Sequence, residues 1–139
     1  MQRDPRLRSL SSEHHTALVL ARRLVSHAGV WTATETAALR ERFDRELEPH
    51  FRVEEDVLLP ALREAGRADL ADRTQRDHEA LRALVAALAS ADADPTLARR
   101  IGELLRDHVR FEEQELFPSC EALLPDVVLE RLPRHSIEH

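Results

Sequence analysis

Two segments of the chain set a histidine four residues ahead of a glutamate: His50 with Glu54, and His108 with Glu112. Imidazole nitrogen and carboxylate oxygen are donors for divalent transition metals, and a four-residue step stacks both on one helix face. A lone pair of this kind is usually a surface hydrogen bond. Here the flanks repeat too. His50-Phe51-Arg52-Val53-Glu54-Glu55-Asp56-Val57-Leu58-Leu59-Pro60 aligns with His108-Val109-Arg110-Phe111-Glu112-Glu113-Gln114-Glu115-Leu116-Phe117-Pro118 at a constant offset of 58, with six of 11 positions identical. Phe and Val trade places around the shared Arg, which preserves their combined volume. Upstream of each copy an acid precedes a histidine, as Glu13-His14 and Asp77-His78. The chain therefore reads as two copies of a helix pair. Each copy offers one His from its first helix and His-x-x-x-Glu from its second.

The elements that must carry these residues are helical. Stretches rich in Ala, Leu, Arg and Glu, with three glycines in 139 residues, favour helices throughout. Gly29 to Thr34, Pro60 to Ala68 and Ala91 to Pro95 read as breaks, which leaves helices near 9–28, 34–64, 68–90 and 95–120. Ser11 or Ser12 is the expected cap of the first helix. Thr32 with Glu35 forms a capping box for the second, and Pro95 suits the first turn of the fourth. Pro49 falls inside the second helix and predicts a kink. Pro125 closes the fourth, and Asp126 to Leu132 can form a short C-terminal helix. Short connections make neighbours antiparallel, so the expectation is all-α: an up-down-up-down four-helix bundle. One domain spans 1–139, with its core over about 8–120 and a tail over 121–139.

Apolar stripes place four histidines inside. His14 lies between Leu10 and Leu18, His50 follows Leu47, His78 precedes Leu81 and Val85, and His108 follows Leu104 and Leu105. Glu54 and Glu112 share the inward faces. Two buried carboxylates and four imidazoles converging on a core cost on the order of several kcal/mol each when unpaired, even after relaxation. A bound cation reverses the balance by holding Glu ionised and His neutral. Four His and two Glu about a pseudo-twofold axis suit two metals bridged by the two carboxylates. Fe, Mn, Zn and Co all accept such donors, and the lack of a Cys cluster disfavours structural zinc and iron–sulfur centres.

With these residues in place, the chain resembles the hemerythrin-like (HHE cation-binding) domains, four-helix bundles with a non-haem di-iron centre. The resemblance covers roughly residues 8 to 120 and rests on HFRVEEDVLLP and HVRFEEQELFP. It implies two iron ions, oxo- or hydroxo-bridged, with Zn or Mn as substitutes. Position by position, it implies His14, His50, His78 and His108 as terminal ligands and Glu54 and Glu112 as bridging carboxylates. Oxygen carriers of the family have two histidines four apart on the third helix and His-x-x-x-x-Asp on the fourth. This chain has Thr74 and Arg82 four away from His78, and Glu at spacing four on the fourth helix. One iron is then expected to lack a protein nitrogen, leaving a water, a carboxylate such as Glu79, or an open position. Reaction with dioxygen, peroxide or nitric oxide becomes a better expectation than reversible oxygen carriage.

The remaining residues narrow the reading. The ferritin-like di-iron class places Glu three before His, whereas Ser11, Leu47, Gln75 and Leu105 stand there. Glu55 and Glu113 are expected to face outward or to support the ligands. His15 is expected in solvent, His27 as a cation at a helix C-terminus, and His135 and His139 in a patternless tail. Cys120 reads as a small apolar residue. Arg52 and Arg110 can pair with surface acids or with carboxylates beside the ligands. A net charge of −6 argues against nucleic acid, and no apolar run approaches a membrane span. A single cysteine and no secretory signal suit a cytoplasmic, reducing setting. The expected partner is a small diatomic or peroxide ligand, with a protein partner or homodimer left open. Whether turnover occurs is open too. The competing functions are a redox- or oxygen-sensing module and a mononuclear or zinc-bound structural bundle.

Overall fold

The four periodic stretches fold as four long helices, with their ends set by local chemistry. The computed structural model describes residues 3–26, 31–90 and 94–133. His27, His135 and His139 lie outside the described residues. The first helix is Arg8–Ser26 and the third Ala68–Ser90; the second runs over 33–64, the fourth over 95–123, and a short fifth over Asp126–Leu129. No strand occurs among the described residues.

Thr32 caps the second helix with the expected box: its side chain accepts from the Glu35 N–H, and the Glu35 carboxylate accepts from the Thr32 N–H. Asp94 caps the fourth by accepting from the Thr96 and Leu97 N–H groups, and Pro95 follows at the first helical position. Gly66, at φ +86°, stops the second helix, with the Arg67 N–H closing back onto the Leu62 carbonyl. The first helix differs from expectation. It begins at Arg8, so Ser11 and Ser12 lie within it, and Asp4 accepts from the Arg6 N–H ahead of it. Burying Leu7 and Leu10 outweighs the weak preference of serine for a helix start.

Pro49 does not break the second helix. A π turn over Phe43–Leu47 precedes it, in which the Glu48 N–H reaches back five residues to the Phe43 carbonyl. Similar turns over Glu54–Leu58 and Glu112–Leu116 precede Pro60 and Pro118. A proline ring crowds the carbonyl four residues back, and each wider turn lies where that carbonyl stands. The two later turns begin at Glu54 and Glu112, and those carbonyls accept from Leu59 and Phe117.

The four helices enclose two apolar clusters separated by a polar layer. One cluster contains Leu20, Leu24, Phe51, Leu81 and Leu105; the other contains Leu7, Leu58, Leu62, Leu116 and Phe117. His14, Glu54, His78 and Glu112 each fall, along their own helix, between a residue of one cluster and a residue of the other. The first and fourth helices pack closely at Gly102, where an added Cβ would stand 2.8 Å from the Ala21 carbonyl oxygen. No described helix is long and apolar enough to cross a membrane.

Candidate metal centre

All six residues singled out by spacing meet in the polar layer. His14, His50, His78 and His108 are buried, and Glu54 and Glu112 have no exposed surface. They form two overlapping groups, His14–His50–Glu54–Glu112 and Glu54–His78–His108–Glu112, with donor atoms in each group within 4.8 Å of one another. Both glutamates belong to both groups. One imidazole comes from each long helix, so the two halves match in number.

The Nε2 atoms all point to the glutamates. His14 Nε2 lies 2.8 Å from Glu112 Oε1, and His108 Nε2 lies 3.0 Å from Glu112 Oε2. His50 Nε2 and His78 Nε2 lie 3.0 Å from the two oxygens of Glu54. Closeness is not pairing here: His50, His78 and His108 Nε2, both Glu54 oxygens and Glu112 Oε2 are buried with no aligned hydrogen-bond partner. Six orphaned donor atoms facing one volume are costly for a core and fit a bound cation. Their N and O chemistry suits the same divalent metals that the residue types suggest.

Each outward Nδ1 meets a different carboxylate. His14 pairs with Glu113 at 2.7 Å, His50 with Glu13 at 2.6 Å, His78 with Glu55 at 2.7 Å and His108 with Asp77 at 2.9 Å. An ionised carboxylate only accepts, so every Nδ1–H donates, which leaves every Nε2 turned inward toward the two glutamates. Ser11 donates to Glu113 and Gln75 to Glu55; these residues stand three before His14 and His78. Arg82 joins Glu48 to Glu55, and Arg3 joins Glu121 to Glu113.

Electrostatics follow from this crowding. Burial pushes Glu112 up, but His108, His14 and His50 outweigh it and hold the carboxyl well below its usual range. Burial pulls His50 down, yet Glu54 and Glu112 leave it well above the ordinary imidazole value. His108, similarly opposed by burial, is raised to about 10 by Glu112 and Asp77. Without a metal, protons take its place as the positive charge.

Access is unequal. A cavity of about 320 Å³ reaches His14, His50 and His108 between walls that include Leu20, Leu47 and Val109. Arg42, Arg45 and Glu46 also line it. His78 is fully buried with Phe51 stacked on its ring at 4.0 Å.

Several expectations change. Glu79 does not supply a further ligand, since it is exposed and accepts from Gln75. Each group holds two imidazoles, and no further histidine joins either one among the described residues. Thr74 is buried, but its hydroxyl donates to the Leu70 carbonyl. Glu55 and Glu113 do not face outward alone: they accept from His78 and His14 Nδ1. His15 is exposed, and Arg52 pairs with the surface acid Glu48. The roles of Glu13, Asp77, Arg3 and Arg82 were not anticipated; the recurring acid–His and Glu–Glu doublets were the available signal for the first two.

The family model described as the hemerythrin HHE cation-binding domain matches residues 6–120. No curated protein and no solved structure matches the chain.

Proposed function

This chain belongs to the hemerythrin HHE cation-binding domain family, and from that membership we propose that it holds two iron ions and binds or reacts with a small molecule: dioxygen, a peroxide or nitric oxide. The observation that carries the reading is the sharing of two fully buried carboxylates, Glu54 and Glu112, between two pairs of imidazoles. His14 and His50 would hold one ion, His78 and His108 the other, with Glu54 and Glu112 bridging. Bound iron would supply electrons and an open position for the small molecule. Zn and Mn are compatible substitutes for the same donors.

The protein's own residues prepare this chemistry. Glu13, Glu55, Asp77 and Glu113 lock each imidazole tautomer through Nδ1. The cavity beside His14 and His50 gives a small molecule its way in, and its apolar walls limit the water that follows. In the opposite half Phe51 covers His78, while His108 borders the same cavity. A small-molecule partner rather than nucleic acid agrees with the net charge of −6. The buried free thiol of Cys120 agrees with a reducing, cytoplasmic setting.

Metal quantification and an optical spectrum of freshly purified protein test the reading. The expected result is two irons per chain with charge-transfer bands from the ultraviolet to the blue. One zinc per chain with no redox spectrum selects a structural bundle instead. Colourless, iron-free protein after both aerobic and anaerobic iron loading overturns the proposal.

A further inference from the structure

Two arginines stand behind the metal-ligand layer in the same way, reached from unlike places in the chain. Arg82 donates from Nη1 to Glu55 Oε2 at 2.9 Å and from Nη2 to Glu55 Oε1 at 3.2 Å, while Nε and Nη2 grip Glu48. Glu55 Oε2 is the atom that accepts from His78 Nδ1. The Arg82 guanidinium also lies 5.7 Å from the centre of Phe51, the ring stacked on His78. Arg3 repeats the arrangement on the other half. It donates to Glu113 Oε1 at 3.1 Å and to Glu121 at 3.2 Å; Glu113 accepts from His14 Nδ1, and the Arg3 guanidinium lies 5.5 Å from Phe117, the ring stacked on His14. Each arginine thus touches both groups that orient one imidazole, the carboxylate at its edge and the phenyl on its face.

The internal repeat does not supply this match. Under the 64-residue offset that relates His14 to His78, Leu18 stands at the place of Arg82, and Arg67, equivalent to Arg3, pairs with Asp69. The same two contacts have been built twice by different means, once per half.

We propose that Arg82 and Arg3 are positioning residues for the metal ligands, each fixing one histidine of a different ion: Arg82 acts on His78 through Glu55 and Phe51, and Arg3 acts on His14 through Glu113 and Phe117. The proposal rests on the two-metal reading above. Neither arginine touches a ligand donor atom.

The test uses the full chain loaded with cobalt(II) alone and challenged with a chelator. Arg82→Gln releases one of the two ions roughly tenfold faster and leaves the other at the wild-type rate. Arg82→Lys recovers only part of the loss, because an ammonium keeps the charge but lacks the planar fork. Arg3→Gln accelerates the other ion, and the double variant accelerates both. In the cobalt protein, the paramagnetically shifted Nδ1–H resonance of His78 moves in Arg82→Gln, and that of His14 moves in Arg3→Gln. Wild-type release of both ions in both single variants overturns the inference. So does a uniform acceleration accompanied by a lowered melting temperature of the metal-free variants, which would assign the arginines to the scaffold. Wild-type protein holding fewer than two cobalt ions defeats the two-metal reading instead.

Discussion

Glu13 Oε1 lies 2.6 Å from His50 Nδ1, on another helix and 37 residues away, although Glu13 is next in sequence to His14. Successive residues on a helix point about 100° apart, so an acid beside an inward histidine cannot reach that same ring. It reaches across to the neighbouring helix. Asp77, beside His78, does the same for His108.

Glu13→Gln and Asp77→Asn are therefore expected to weaken metal binding by about 10- to 100-fold without losing the fold. Glu13→Gln should weaken the ion shared by His14 and His50, and Asp77→Asn the ion shared by His78 and His108. Competition with a chelator, read ion by ion, checks this. A moved His14 Nδ1–H resonance with that of His50 unchanged in Glu13→Gln would contradict the crossed arrangement.

His108→Ala removes a buried imidazole of the candidate centre, and His15→Ala removes an exposed ring on the first helix. The first should lower bound metal to one ion or fewer and lower the melting temperature of the loaded protein. Metal present at a thousandfold excess over its dissociation constant contributes about 4 kcal/mol per site, which for a domain of this size is on the order of 10 °C. His15→Ala should change neither quantity. Metal analysis and calorimetry of both variants decide the matter, and equal losses would show that the site is misplaced.

The metal-free protein should lose stability as pH rises from 7 to 10. In that state burial pulls His108 down, but Glu112 and Asp77 raise it to about 10, above the ordinary imidazole value. A raised folded value gives stability that is fully present below the unfolded pKa and disappears as pH climbs through the folded one. Urea midpoints of stripped protein at the two pH values measure the fall. Metal-loaded protein should show less of it, since the ion has replaced the proton, and a constant midpoint in stripped protein would refute the assignment.

Gly102→Ala separates scaffold from site. Its Cβ would stand 2.8 Å from the Ala21 carbonyl oxygen and from Leu24 Cβ, so the first and fourth helices must move apart. Overpacking of this kind costs about 1–3 kcal/mol. Denaturant titration should show that loss with and without metal, while the number of ions bound stays at the wild-type value. A changed metal count would mean that the contact sets the ligand geometry.

Helix identity and the gathering of the candidate ligands are legible in the order of residues. The capping box at Thr32 and Glu35, a break between Pro60 and Ala68 and the inward faces of His14, His50, His78 and His108 follow from local spacing. The repeat makes Glu54 and Glu112 stand out from ordinary helix-surface acids, because duplicated ionisable groups on apolar stripes have no bland explanation. The π turn over Phe43–Leu47 ahead of Pro49 was not legible, since local spacing does not mark a one-residue widening of the helix.

Residue type and helical period alone determined that four imidazoles and two carboxylates face one interior, since period and apolar patterning are properties of each segment by itself. Tertiary packing decided the rest: that Glu13 serves His50, that Glu113 serves His14, that Arg3 and Arg82 stand behind the two halves, and that the cavity lies beside His14 and His50. The physical reason is range. A helix face is set within one or two turns of chain, whereas an ion pair or a cavity depends on the distance between helices, which no single segment specifies.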